Sequence, residues 1–219
     1  MKRGTSLAAL GGAAALGGYV LVVRPWLMRW GATEAEVHET LPGDGLVSHP
    51  KHHDTHANTI HAPVTEVWPW LVQIGQDKGG FYSYAWLENL AGCRLRNADR
   101  VIAEYQTLKA GDPVRLHPAA PPLTAVLVEP CHALVLGGGV ASANSPPFNG
   151  TWGFYVGKVD AAATRLLIRS RWDWKPGLLS WFGYRCLLEP AHFIMERKML
   201  LTLKACAERA HRGPEFQCR

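Results

Sequence analysis

The densest chemistry in this chain lies between His49 and His61. Five histidines (His49, His52, His53, His56 and His61) surround Asp54. Imidazole nitrogens and a carboxylate are ligands for zinc or nickel. A common face for His52 and His56 would need a helix, whereas the stretch reads as loop followed by strand. No complete ligand set emerges, so neither a metal nor a cofactor is expected. Two arginines, Arg169 and Arg171, stand two apart on a strand and therefore share a face. On a cavity wall they would hold a carboxylate or phosphate. The opposite face carries Leu166, Ile168 and Trp172. Alternation then turns the arginines towards a solvated outer surface. Glu196, on a long C-terminal helix, would be a general base if buried. Beside Arg197 and Lys198 it reads as part of a solvated helix face, and Glu88 and Asn89 share that ambiguity.

An aromatic group is the other candidate. Trp68, Trp70, Phe81, Tyr82, Tyr84 and Trp86 cluster on two short helices and the loop between them. They fit a pocket wall, because ligand cavities are mostly apolar with a few polar groups. They fit plain core packing equally. Tyr82 and Tyr84 are the better ligand contacts, since a hydroxyl can orient a bound molecule. No catalytic residue is assigned: there is no nucleophilic triad, no carboxylate pair at useful spacing, no glycine-rich dinucleotide fingerprint and no P-loop.

The elements that would position these residues follow from periodicity. His56–Ala62 reads as a short strand. Pro63 then opens a helix whose Val64, Val67, Trp68, Leu71 and Val72 share one face, with Pro69 inside it as a kink. A turn at Gly79 and Gly80 leads to a second helix, Ser83–Ala91, with Ser83 as its cap. Residues 113–117, 123–129, 132–137, 151–159 and 164–172 read as strands. Short connections make neighbours antiparallel. Residues 137–150 form a longer loop. A long helix from about Leu188 to Ala210 closes the chain. Residues 31–55 look like a connector, since LPGDG (41–45) is turn-like and no apolar period runs through the stretch. The apolar segment 177–186 is either a pocket lid, a loop packed on the domain, or a piece that dips into a bilayer surface.

The chain has 219 residues, 47% hydrophobic and 19% charged, with a formal charge of +5 and a pI near 9.0. A chain of this size buries a core without metals or disulfides. Its five cysteines are scattered without a CxxC pair, which argues for buried free thiols. The basic balance favours anionic surfaces such as phospholipid headgroups. No nucleic-acid motif accompanies it, so nucleic acid is not an expected partner. The run Thr5–Val23 carries no charge; Lys2 and Arg3 precede it, and Arg24, Trp26, Arg29 and Trp30 follow. About 20 apolar residues span a bilayer, and flanking Arg and Trp suit the headgroup zone. A single-pass membrane anchor is therefore expected over residues 1–30. A cleaved signal peptide fits less well, because the small residues lie inside the apolar run. The basic residues are nearly balanced, so the side of the soluble part is open.

Several stretches resemble a known superfamily: WGATEAEV (30–37), LPGD (41–44), TIHAPVTEVWPWLVQIGQ (59–76), GGFYSYAWLENLAG (79–92), NADR (97–100), RLLIRSRWDW (165–174) and EPAHFIMERKMLL (189–201). With the element order they resemble SRPBCC proteins, the START-like, polyketide cyclase-like helix-grip group, and in particular bacterial membrane-anchored members. The resemblance implies an α+β fold over residues 56–210. In it an antiparallel sheet wraps around the long C-terminal helix, preceded by a transmembrane helix and followed by a flexible tail (211–219). It also implies a cavity for a lipid or other hydrophobic small molecule. The expected function is carriage, sensing or sequestration of such a ligand. A cyclase- or dehydratase-like enzyme in the same cavity, or a membrane interaction domain without a ligand, are the alternatives.

Overall fold

The computed structural model describes residues 17–47, 49–138, 148–174 and 177–213. Six strands form one antiparallel sheet: β1 (His52–Ile60), β2 (Pro113–Val114), β3 (Leu123–Glu129), β4 (Ala133–Gly138), β5 (Phe148–Lys158) and β6 (Thr164–Trp174). Their spatial order is β1-β6-β5-β4-β3-β2, so the first strand closes the sheet beside the last. Among the described residues six α-helices accompany them. They are α1 (Arg24–Met28), α2 (Glu34–His38), α3 (Val64–Val72), α4 (Ala85–Leu90), α5 (Leu178–Phe182) and α6 (Glu189–His211). The long α6 crosses one face of the sheet. This α+β arrangement fits a helix grip, and it explains the alternation read in residues 164–172.

The main core lies between that face and helices α3 and α6. Ile60, Leu134, Leu136, Phe154, Leu166 and Ile168 point up from the sheet to meet Trp70, Leu71, Met199, Leu200 and Leu203. Burying each such side chain contributes roughly 1.5–3 kcal/mol. A smaller cluster forms on the other face, where Ala57, Val135, Tyr155 and Leu167 meet Ala32 and Leu41.

That second cluster corrects the reading of residues 31–55. They are not a featureless connector: residues 32–47 strap the outer face of the sheet. Thr33 and Glu36 make a reciprocal capping box at the start of α2. Tyr155 Oη donates to the Pro42 carbonyl at 2.6 Å, and Arg165 pairs with Glu36 at 2.7 Å. The strap has no long apolar period because it lies flat on a sheet and holds by polar contacts.

The first strand also starts earlier than His56. It begins at His52, opposite Trp172, and ends at Ile60, opposite Thr164. Polar residues at its start concealed it as a strand. The helix after Pro63 lies where the periodicity places it, over Val64–Val72. The second is shorter than expected, Ala85–Leu90, and Ser83 does not cap it; its hydroxyl donates to the Glu88 carboxylate instead. The ends of the expected loop 137–150 belong to β4 and β5, and 139–147 lie outside the described residues. The tail beyond 213 does too. Of the four described cysteines, Cys93 and Cys206 are buried, while Cys131 is exposed.

Among the described residues no helix is long and apolar enough to cross a membrane. Most of the expected Thr5–Val23 span lies outside them. The part that is described, from Gly17, runs as helix into α1, which packs against α6. Arg24 pairs with Glu189 at 2.8 Å, and Trp26 and Trp30 meet Phe193 edge to face.

Candidate functional site

Two periodicities converge on one place. In a strand, residues two apart share a face, so His52, Asp54 and His56 all point from β1 towards α6. In a helix, residues three and four apart share a face, so Glu189, His192 and Glu196 all point back from α6. His52 Nε2 lies 2.7 Å from Asp54 Oδ2, and its Nδ1 lies 3.1 Å from Glu189 Oε1. His56 Nδ1 meets the Glu196 carboxylate, while its Nε2 donates to the Leu27 carbonyl at 2.7 Å. His192 Nε2 lies 3.5 Å from Asp54 and 3.4 Å from Glu196. Neighbouring strands complete the set. The Ser170 amide donates to Asp54 at 3.1 Å, and Trp152 Nε1 donates to Glu196 at 2.8 Å.

Burial decides the electrostatics here. Asp54, His56, Glu189 and Glu196 are all at most 2% exposed. Burial by itself would neutralise such groups. It would lower the His52 imidazole, but Asp54 and Glu189 overrule it and raise the group to about 9. His56 is likewise lowered by burial and then raised to about 9, by Asp54 and Glu196. Burial pushes the Asp54 carboxyl up, yet His56 and His52 hold it below its ordinary value. Glu196 behaves alike: burial is outweighed by His192 and His56, and the group stays ionised. The cluster is therefore a set of buried opposite charges. Arg24 and Arg185, both on Glu189 at 2.8 Å, close one end of it.

Beside the cluster lies a cavity of about 230 Å³ between the sheet and α6. Its apolar walls come from Phe81, Leu116, Leu123, Met195 and Met199. His192, Glu196, Trp152 and Trp172 form one polar side, and Ser83 with Glu88 another. Trp172 stacks on His52 at 4.5 Å and meets His192 edge-on. Glu88 is 8% exposed. Burial raises its carboxyl, and the Ser83 hydroxyl only partly opposes this. Glu88 Oε2 is buried and meets no hydrogen-bond partner among the described residues. The turn before α4 sets up this wall. Gly80 (φ +78°) and Tyr82 (φ 56°) take left-handed conformations, which cost a non-glycine residue roughly 1 kcal/mol or more. Asn97 holds the turn, accepting from the Phe81 and Tyr82 amides at 3.1 and 2.8 Å and donating to the Ser83 carbonyl at 2.9 Å.

No family model matches the chain, and no curated protein matches it. Solved structures do. A Zhui aromatase/cyclase from Streptomyces sp. R1128 is 15% identical over 75% of this chain and 98% of its own, with a TM-score of 0.44. A protein from Nitrosospira multiformis is 14% identical over 74% and 100%, with a TM-score of 0.44. A protein from Mesorhizobium loti is 13% identical over 72% and 98%, with a TM-score of 0.40. At these identities and TM-scores the likenesses assign neither a family nor an activity.

Of the residues singled out from the sequence, Phe81, Glu88 and Glu196 line the cavity. Glu196 is not on a solvated helix face, because Trp152, Ser170 and His56 cover it. Trp68, Trp70 and Tyr82 are core residues, and the Tyr82 hydroxyl accepts from Gln73 at 2.6 Å. Tyr84 is half-buried under Lys198, and Trp86 is 67% exposed. Arg169 and Arg171 do occupy the face away from the cavity, but that face is not solvated. Arg169 is 2% exposed; it donates to Asp44 at 2.7 Å and to the Glu36 and Glu39 carbonyls at 2.6 and 2.7 Å. It thus binds carbonyls at the end of α2, where a cation is favoured. His52, Asp54 and His192 were not selected. The signals were present as i, i+2, i+4 in HHDTH and as i, i+3, i+7 in EPAHFIME. Testing His52 and His56 against helical spacing alone hid the first.

Proposed function

We propose that this chain is a membrane-anchored helix-grip domain that binds one apolar small molecule or lipid bearing a hydrogen-bonding group. The observation that carries this reading is the orphan Glu88 Oε2 on the wall of an otherwise apolar cavity. A buried polar atom without a partner costs roughly 1–3 kcal/mol. A ligand hydroxyl or amine donating to Glu88 relieves that cost while its apolar body fills the space beside Phe81, Leu123 and Met199. The volume lies just under the usual range of about 300–1,000 Å³ for drug-sized ligands, which suits a compact ring system or one end of an acyl chain. The resemblance of the sequence to SRPBCC proteins points the same way.

Native mass spectrometry of the full chain in mild detergent tests the reading. A discrete added mass is expected, lost when Leu123→Trp fills the cavity. No added mass, together with no saturable binding across a panel of fatty acids and aromatic compounds, would sink it. Anchoring rests on the uncharged Thr5–Val23 run and on the apolar side chains next to its end. Val22, Leu178, Leu179 and Leu187 are 69–89% exposed, and Tyr19 Oη donates to the Arg185 carbonyl between the two segments. Membranes washed in alkaline carbonate should retain the protein in the pellet; release into the supernatant rejects the anchor.

A second reading has one specific observation behind it. Glu88 and Glu196 face the same cavity with opposite shifts, one raised and one lowered. Divergent carboxyls of this kind supply an acid and a base at one pH. Under this reading Glu88→Gln retains the bound mass but ends its conversion. A ligand that wild type returns unchanged after long incubation excludes it.

A further inference from the structure

We propose that His52, Asp54 and His192, with Glu196 beside them, form a binding site for one first-row divalent metal ion of the zinc or iron(II) class. The site lies at the polar end of the cavity. One nitrogen from each histidine and a carboxylate oxygen of Asp54 all lie within 4.8 Å of one another. His192 Nε2 is 3.5 Å from Asp54 Oδ2 and 3.4 Å from Glu196 Oε1. Metal–ligand bonds of about 2.0–2.2 Å leave neighbouring ligand atoms at comparable separations. Two histidines and one carboxylate with an open side are a recurrent donor set for divalent iron and zinc.

The surroundings supply what such a centre requires. Both nitrogens of His52 face carboxylate oxygens, Asp54 on one side and Glu189 on the other. Two carboxylates facing one ring favour positive charge there, whether as the doubly protonated ring or as an ion bound to one nitrogen. An ion on Nε2 leaves Nδ1–H to donate to Glu189, the carboxylate–histidine–metal relay common around protein-bound metals. Glu189 is itself fixed by Arg24 and Arg185. Asp54 keeps its second oxygen on the Ser170 amide, which leaves Oδ2 for the ion. The carboxylates of Asp54 and Glu196 balance a divalent charge. His192, with its side chain 18% exposed, also lines the cavity, as Glu196 does.

The site itself does not require an organic ligand. Only its role, holding an oxygen of the molecule bound beside it, rests on the function proposed above. The test therefore uses the metal alone. Full-length protein without a polyhistidine tag is stripped with chelator and titrated with cobalt(II). Uptake of one equivalent per chain with visible d–d absorption is expected, and zinc should displace it. His192→Ala should weaken cobalt binding at least tenfold, and Glu189→Gln by about 10- to 100-fold as the outer partner of His52. His211→Ala, at an exposed histidine paired with Glu66, should change nothing. Should either cluster variant fail to fold, wild type still decides: zinc must raise its melting temperature in a saturable way. No cobalt absorption and no zinc-dependent stabilisation overturn the proposal, as does cobalt binding lost with His211 but indifferent to His192. A protein that takes up no cobalt or zinc yet binds an apolar ligand would reject the metal site and leave the cavity reading standing.

Discussion

Arg169 shows how much one buried charge can organise. Its guanidinium fills the space between β6 and the strap, bonding Thr55, Asp44 and carbonyls at the end of α2. Arginine suits this place because its planar fork serves several acceptors at once. Removing one member of a buried pair leaves the other uncompensated, at a cost of about 3–5 kcal/mol. Arg169→Ala should lower the unfolding free energy by that amount in a urea titration, and Arg169→Lys should recover only part of it. A loss under 1 kcal/mol would show that Asp44 finds another partner or water. Conversely, the residues on the cavity side announce themselves by strand phase. His52, Asp54 and His56 are legible once β1 is known to start at His52. His192 and Glu196 are legible once α6 is known to face β1.

At the scale of elements, the strap and the long helix grip the sheet from opposite faces by different means. The helix does so with apolar contacts from Met199, Leu200 and Leu203. The strap does so largely through ion pairs, and these respond to acid. Arg165 donates to Glu36 with two nitrogens, at 2.7 and 2.8 Å. That hydrogen bonding outweighs burial and lowers the Glu36 carboxyl from 4.5 to about 2. A group depressed in the folded state stabilises fully above its unfolded value, and the contribution is lost as pH falls towards the folded value. Stability should therefore decline between about pH 4.5 and pH 2. Glu36→Gln should be less stable near neutrality and should fall less steeply across that window, read from urea midpoints. Parallel curves for the two proteins would mean that the Arg165 pair adds nothing.

For the whole molecule, the segment just after the uncharged run belongs to the folded body. Arg24 neutralises Glu189, the Leu27 carbonyl receives His56, and Trp26 and Trp30 pack on Phe193. A chain that starts at Gly31 loses all three contacts and leaves Glu189 short of a cation. It should unfold with about 3 kcal/mol less stability, a melting temperature lower by roughly 6–12 °C. An unchanged melt would place the boundary of the domain after residue 30.

The sequence alone determined the order of the main strands and helices, because strand-forming composition, turn residues and helical period are local properties. Strand-forming runs bounded by turn residues marked β3 to β6, and a period of 3.6 marked α3 and α6. It also determined which face of β6 carries Arg169 and Arg171, since alternation needs no neighbour. Only the tertiary structure decided what each face meets. The outer face turned out to be covered because a stretch without apolar period lies on it, held by Arg165, Arg169 and Tyr155. The site likewise depended on β1 pairing with β6 and on α6 crossing above them. That arrangement brings His52 within hydrogen-bonding distance of Glu189, 137 residues away. No local pattern fixes a contact of that range, because it is set by how the whole chain buries its apolar surface.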